Sequence, residues 1–316
     1  MSLSSDSAMR RRLVIVLGPT AVGKTDFSVS LALRYGSPVI SCDSRQIFRE
    51  MTIGTAVPSA SQLSAVKHYF IHSHSVVDGC TAGGYEIEAL DLMSRLFREG
   101  HETLVMAGGS GLYIDAVCRG LDDFPPADPV LRAGLSERLE REGVESLRLD
   151  LKRLDPESYS TIDIANGQRV IRALEVCLMT GRKFSSFKTA SVRRRDFEIV
   201  KIGLTRPREE LYSRINARVL AMMEAGLESE ARSLVRFRDL PALRTVGYRE
   251  MFDHFDGKIS LEKAVELIQR NTRHYAKRQM TWWARDPDIR WISAGDGLSP
   301  ASVIDDCPAS ADGRAE

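Results

Sequence analysis

No stretch of this 316-residue sequence holds the roughly 18–20 consecutive apolar residues that a membrane-spanning helix requires, so a helical span is excluded. Cysteine is scarce and unhelpfully arranged. The five residues (Cys42, Cys80, Cys118, Cys177 and Cys307) are odd in number, widely scattered and without a C-x-x-C pair. That speaks against a disulfide framework or a zinc site and fits a reducing compartment. Met1–Arg12 is rich in Ser and Arg but lacks an apolar core, so it does not read as a secretory signal. An excess of one charge is missing as well: 44 Lys and Arg stand against 43 Asp and Glu, for a net charge of +1. Any nucleic-acid surface must then come from local clustering. No internal repeat is present. These absences leave a cytoplasmic protein without membrane partners, of a length that suggests about two domains.

What is present is organised around residues 13–35. Leu13-Val-Ile-Val-Leu17 reads as a short buried strand, Gly18-Pro-Thr-Ala-Val-Gly23-Lys24-Thr25 follows, and a helix carrying Phe27, Val29, Leu31 and Leu33 comes next. This is G-x-x-x-x-G-K-[ST] between a strand and a helix, the setting in which the pattern has meaning. The glycines let the backbone of Gly18, Pro19, Thr20, Ala21, Val22 and Gly23 curl so that several of its N–H groups converge on phosphate oxygens, and the helix N-terminus adds a favourable dipole. Lys24 supplies a mobile positive charge, and the Thr25 hydroxyl is the usual ligand for Mg²⁺.

Pro38–Cys42 reads as a second buried strand ending at Asp43-Ser44-Arg45-Gln46. Asp43 therefore stands either on the ligand-binding rim beside the P-loop or as the N-cap of a helix starting near Gln46. Residues 52–84 are turn-rich; His68, His72 and His74 lie close together, the last two on one side of a possible strand, and read as loop histidines because no third metal ligand is suitably spaced. Tyr85–Gly100 is a patterned helix with Ile87, Leu90, Met93, Leu96 and Phe97 in its apolar stripe. Leu104–Ala107 is a third strand, followed by Gly108-Gly109-Ser110-Gly111. P-loop ATPases often hold Mg²⁺ with an Asp at that point. Gly108 stands there instead, which makes Asp43 the better acidic candidate.

Phe124-Pro-Pro-Ala-Asp-Pro129 breaks the α/β rhythm, and the chain then reads as helical to about Arg195. The expected architecture is a P-loop NTPase-like α/β fold with a parallel sheet core (1–120 and 196–295), an inserted all-helical subdomain (121–195) and a disordered tail (296–316). Within the insertion, a helix capped by Asn166 and stopped by Gly181 carries Gln168, Arg169 and Arg172; taken alone, their basic character reads as a solvated face. Phe197–Leu204 returns to the sheet. The next helix, from about Pro207 to Ala225, places Arg214 and Arg218 one turn apart, able to converge on one anion. The last helix, from Leu261 to about Arg285, interleaves Arg270, Arg273, His274, Lys277 and Arg278 with Tyr275, Trp282 and Trp283, cations for a phosphate backbone and rings for bases. Ala264, Leu267 and Ile268 face the core, and the tryptophans alone read as core packing.

Together these motifs resemble the tRNA dimethylallyltransferase family, also called tRNA isopentenyltransferases, over residues 12–295. The likeness rests on GPTAVGKT at 18–25, SCDSRQIF at 41–48, IGTA at 53–56, GGSGLY at 108–113, QRVIRALEV at 168–176, RINARV at 214–219, RTVGYRE at 244–250 and KRQMTW at 277–282. The P-loop alone is widely shared; the ordered set is specific. The resemblance implies transfer of a dimethylallyl group from its diphosphate to the exocyclic N6 amine of the adenine 3′ of the anticodon, with Mg²⁺ as cofactor and tRNA as partner, by a monomer. It implies Asp43 as general base, and Thr25 and Arg218 as the residues handling Mg²⁺ and diphosphate. It implies contacts to tRNA from Asp43, Ser44, Arg45 and Gln46, from Ser110, from Gln168, Arg169, Val170, Ile171 and Arg172, from Arg244, Gly247, Tyr248 and Arg249, and from Lys277, Arg278, Gln279, Thr281 and Trp282. The insertion and the last helix would then grip the anticodon stem-loop from two sides. The loop's nucleotide-binding look raises ATP as an occupant; the family reading places the prenyl diphosphate there. The sequence departs from the family pattern at Phe48, Val57, Gly83-Gly84 and Ala284, positions that bear on the grip of tRNA. A P-loop kinase of a small metabolite, with Asp43 as base toward a hydroxyl, is the alternative; a non-catalytic tRNA-binding protein is a third reading.

Overall fold

Leu13–Leu17 are completely shielded from solvent in the computed structural model, which describes residues 11–189 and 192–295. An unbroken apolar run is what a strand covered on both faces demands, and both neighbours of β1 (Arg12–Leu17) run parallel to it. The chain continues through α1 (Lys24–Tyr35), β2 (Val39–Ser41), α2 (Ala60–Ala65), β3 (His68–Tyr69), α3 (Ala82–Arg98), β4 (Thr103–Ala107) and α4 (Gly111–Arg119). After α5 (Pro129–Glu142), α6 (Val144–Leu154), α7 (Pro156–Thr161) and α8 (Gly167–Thr180) come β5 (Glu198–Thr205), α9 (Arg208–Glu224), α10 (Leu227–Ser233), α11 (Tyr248–Phe255), α12 (Leu261–Trp283) and β6 (Ile289–Ser293). The sheet has six parallel strands in the order β3-β2-β4-β1-β5-β6. The loops after β1, β2 and β4 therefore open on its one carboxyl edge, where α/β sheets place their ligands.

Two compact units result. One holds the described residues up to Cys118 together with those from Arg194; the other is Arg119–Arg193, where the sequence reading drew 121–195. The second unit has its own apolar centre of Leu135, Leu147, Leu151, Val170, Ile171, Ala173 and Leu174. The Asn166 side chain accepts from the amides of Gln168 and Arg169 at the start of α8, and Gly181 closes it in a left-handed conformation.

The structure corrects several expectations. No helix begins near Gln46; residues 44–47 form consecutive turns. His72 adopts a positive φ of 54° and His74 makes only an isolated bridge with Phe48, so no strand forms there. Leu33 and Ile87, counted in apolar helix faces, are 60% and 65% exposed. Strand β6 was not anticipated, since its five residues follow Asp286-Pro-Asp and alternate too briefly to stand out. The proposed disordered tail lies outside the described residues. No described helix is long and apolar enough to cross a membrane.

Candidate functional site

A groove of about 330 Å³ opens on the carboxyl edge of the sheet. Thr20, Ala21, Gly23, Lys24 and Thr25 line it from the P-loop, and Arg214 and Arg218 from α9. Asp43 and Gln46 line it after β2, and Tyr275 and Gln279 from α12. Gly18, Pro19 and Val22 shape the loop without lining the groove.

The loop after β2 explains both readings of Asp43. Its Oδ1 accepts from the amides of Arg45 at 2.8 Å and Gln46 at 3.3 Å, capping the turn. Its Oδ2 accepts no hydrogen bond among the described residues, and the residue lines the groove. The absent Asp after β4 also has a steric cause. A Cβ at Gly108 would lie 2.5 Å from the Cys42 carbonyl oxygen, so the β4 and β2 loops touch backbone to backbone and leave no room for a side chain. Ser110 joins the same two loops: its Oγ accepts from the Ser44 amide at 2.9 Å and donates to the Ser44 hydroxyl at 3.0 Å.

Thr55, Ala56, Val57 and Pro58 form a further wall of the groove, which Ile71 also lines. The Gln46 amide donates to the carbonyls of Thr55 at 3.1 Å and Ala56 at 2.9 Å, tying this wall to the Asp43 loop. Ala56, Val57, Pro58 and Ile71 give this part of the groove an apolar lining.

Positive charge gathers in the same groove. Lys24 Nζ donates to the carbonyls of Gly18 at 2.9 Å and Pro19 at 2.8 Å. Burial, followed by the nearby Arg218 guanidinium, holds its pKa down to about 8, against partial opposition from Asp43. Burial and then the Arg214 charge likewise lower Arg218. Arg218 reaches the Thr20 hydroxyl at 3.4 Å, and Arg214 Nε donates to the Ala21 carbonyl at 2.9 Å. Among the described residues none of the three forms an ion pair, so the site is short of negative charge. The Thr25 hydroxyl has no hydrogen-bond partner among the described residues either, and no group of three or more His, Cys, Asp or Glu there could hold a metal.

Several residues expected to touch tRNA have other occupations. Val170 and Ile171 are core residues of the helical unit, and Arg172 donates to Glu175 and to the Pro125 carbonyl. Tyr248 is fully buried with its hydroxyl on Glu230. Gln279 is buried: its Oε1 accepts from the Thr20 amide at 2.9 Å and its Nε2 donates to the Gly109 carbonyl at 2.8 Å. One P-loop amide expected to meet phosphate is thus already engaged. Arg273 is held by Asn216 at 2.7 Å. Gln168, Arg169, Arg244, Arg249, Lys277, Arg278 and Thr281 are exposed, and Trp282 is 41% exposed with its indole N–H on Asp115, whereas Trp283 is core. Gly247 is buried at the start of α11. Arg45 is partly exposed in the turn after Asp43. Sequence reasoning missed the groove role of Tyr275, although it sits one turn before Gln279 on the same helix face. It also missed the wall at 55–58, whose signal lay in the IGTA motif.

Residues 46–286, more than half of the chain, match the family model described as IPP transferase. A Porphyromonas gingivalis protein, tRNA dimethylallyltransferase 2, is 54% identical over 280 residues, covering 89% of this chain and 93% of the relative. Another from Bacteroides thetaiotaomicron, tRNA dimethylallyltransferase 1, is 47% identical over 280 residues, covering 89% and 91%. Among solved structures, the tRNA isopentenylpyrophosphate transferase of Bacillus halodurans aligns with a TM-score of 0.68 at 35% identity over 94% of each chain. A eukaryotic dimethylallyltransferase acting on tRNA shares the fold, with a TM-score of 0.74 at 23% identity over 90% of this chain and 74% of that one.

Proposed function

From the premise that this chain belongs to the tRNA dimethylallyltransferase family, we propose that its groove moves a dimethylallyl group from the diphosphate to the N6 amine of the adenine 3′ of the anticodon in tRNA. The observation that carries this reading is charge placement: Lys24, Arg214 and Arg218, which form no ion pair among the described residues, line one groove with the Asp43 carboxylate. Similarity to named tRNA dimethylallyltransferases favours prenyl transfer over the kinase that a P-loop alone would allow.

The diphosphate lies against the P-loop, and the five-carbon chain along the apolar wall. As the allylic C1–O bond breaks, negative charge grows on the leaving diphosphate. Lys24, Arg214 and Arg218 are aimed at it, a contribution of about 3–4 kcal/mol for each donor removed. The N6 nitrogen forms the new bond to C1, and its proton passes to Asp43 Oδ2, the oxygen left free by the turn. An exocyclic amine conjugated with its ring is a weak nucleophile, so a carboxylate accepting that proton is needed. The adenine must leave its stack to reach the groove, which suits a loop better than a duplex.

Mg²⁺ suits the Thr25 hydroxyl, because that ion takes one or two protein oxygens and fills its shell with phosphate oxygens and water. When bound it would neutralise charge on the diphosphate. Exposed Lys277, Arg278, Arg244 and Arg249 are the tRNA contacts of the P-loop unit in this reading, and exposed Gln168 and Arg169 are those of the helical unit, each taken by itself. The same reading has the protein act as a cytoplasmic monomer.

The test is direct. Purified protein with Mg²⁺, dimethylallyl diphosphate and undermodified tRNA adds one C₅ unit to a single adenine, read by mass spectrometry of nucleosides. No adduct, alongside phosphate transfer from ATP, would hand the case to the kinase.

A further inference from the structure

Glu230, on α10, is outside every motif named above and does not line the groove, yet it receives four hydrogen bonds. Its Oε2 accepts from the backbone amides of Thr52 at 3.0 Å and Ile53 at 2.8 Å. Its Oε1 accepts from the amide of Gly54 at 2.9 Å and from the Tyr248 hydroxyl at 2.6 Å. Three successive amides and a phenol converging on one carboxylate fix a turn that has no sheet or helix to hold it. Gly54 is part of the same device. A Cβ there would stand 2.7 Å from the Tyr248 ring, so only glycine lets the turn lie on the tyrosine. The next residues are the wall of the groove, Thr55–Pro58, whose far side is bonded to Gln46.

We propose that Glu230 is a positioning residue for the prenyl donor: it fixes the turn at 52–54 and through it the wall at 55–58 and the Gln46–Asp43 loop. The inference rests on the reading of the groove as a prenyl-diphosphate site. It also explains why Tyr248 is buried within a segment whose flanking Arg244 and Arg249 are exposed. The ring supports the turn, and its hydroxyl completes the carboxylate's set of donors.

Glu230→Gln is the sharp variant. An amide puts an NH₂ where one oxygen stood, so it faces either the Thr52 and Ile53 amides or the Gly54 amide, and at least one of the three loses its acceptor. Bonds to a charged group are worth enough to shift binding about tenfold. The expected result is a dimethylallyl-diphosphate KM raised about tenfold, a smaller loss of kcat and an unchanged tRNA Kd. Amides 52–54 should also show faster hydrogen exchange. Tyr248→Phe keeps the ring against Gly54 and removes one donor, so it should raise donor KM about threefold. Because both act through one carboxylate, the double variant should be no worse than Glu230→Gln alone. Wild-type donor KM and kcat in Glu230→Gln, with only the melting temperature lowered, would overturn the proposal, as would additive effects. If the wild-type protein transfers no prenyl group at all, the reading of the reaction fails first. Amide exchange then still reports separately whether Glu230 holds the turn.

Discussion

Both compact units are rich in arginine, but they use it in opposite ways. Around the groove, Lys24, Arg214 and Arg218 are crowded together without ion pairs among the described residues, and two of them are held below their ordinary pKa. In the helical unit, Arg132 and Arg172 both close on the buried Glu175 at 2.6 Å, and Arg138 binds Glu142 and Asp150. Asp155, also buried, accepts from the amides and hydroxyls of Ser158 and Ser185. The groove's cations thus await an anion from outside, whereas most of the insertion's are matched from within. Charge left unmatched in a partly desolvated place is evidence for a ligand; matched charge is evidence for a framework.

The comparison breaks most visibly at Asp43. Asp43→Asn keeps an oxygen for the Arg45 and Gln46 amides and loses only the base, so kcat should fall by about 10²–10⁴ with tRNA affinity within a few-fold. Asp43→Ala removes the cap as well, and a lower melting temperature in Ala than in Asn would separate the two roles. A near-normal kcat in Asn would leave Asp43 as a turn cap alone. Next in size, Lys24→Ala or Arg218→Ala should cut kcat/KM by about 10²–10³ without unfolding the protein. Glu175→Gln should do the reverse, because Arg132 and Arg172 lose their counter-charge. The helical unit should then lose about 1–3 kcal/mol of stability, read by denaturant melts, while catalysis by the folded fraction persists. Equal damage to catalysis from both sets would dissolve the distinction.

How far this was legible in the sequence follows from what each signal depends on. The P-loop, the buried strands and the capped α8 were readable because they are local: a few residues determine strand, turn or cap. Its place after a strand left Asp43 open between the rim and a helix N-cap; it lines the groove and caps a turn, with no helix there. The intramolecular bonds of Arg172, Tyr248 and Gln279 were not legible because partners lie far along the chain: Arg172 reaches Pro125 as well as the nearby Glu175, Tyr248 reaches Glu230 and Gln279 reaches Thr20. Residue type and spacing show that such a side chain is important without showing which way it points. Strand β6 escaped for another reason. Pairing with β5 at Lys201↔Ile289, not its own pattern, makes it a strand, and the buried Lys201–Asp286 pair at 2.7 Å anchors its approach.

The exposed cations give a smaller and more selective test. Lys277→Ala with Arg278→Ala should weaken tRNA binding and flatten the dependence of log Kd on log salt by about 0.7–0.9 for each phosphate no longer neutralised. Arg172→Ala, already matched by Glu175, should lower stability and leave the salt slope alone. An unchanged slope in the first variant would return α12's outer face to plain solvation.

The smallest effect is a matter of pH, and it follows from Lys24. The folded protein sheds this proton at about 8, while an unfolded lysine keeps it to about 10.4. Burial therefore disfavours the ammonium, and Lys24 makes stability rise with pH between those values. A bound diphosphate supplies the missing negative charge and restores the proton, so binding takes one up above about pH 8. Pyrophosphate Kd should be nearly flat in this respect at pH 7, where the ammonium is already present, and should then weaken by up to about tenfold per unit above 8. Calorimetry in buffers of different ionisation enthalpy measures the proton directly. Lys24→Arg keeps a charge that does not titrate in this range, so it should abolish both the step and the uptake; a step that survives in that variant belongs to another group.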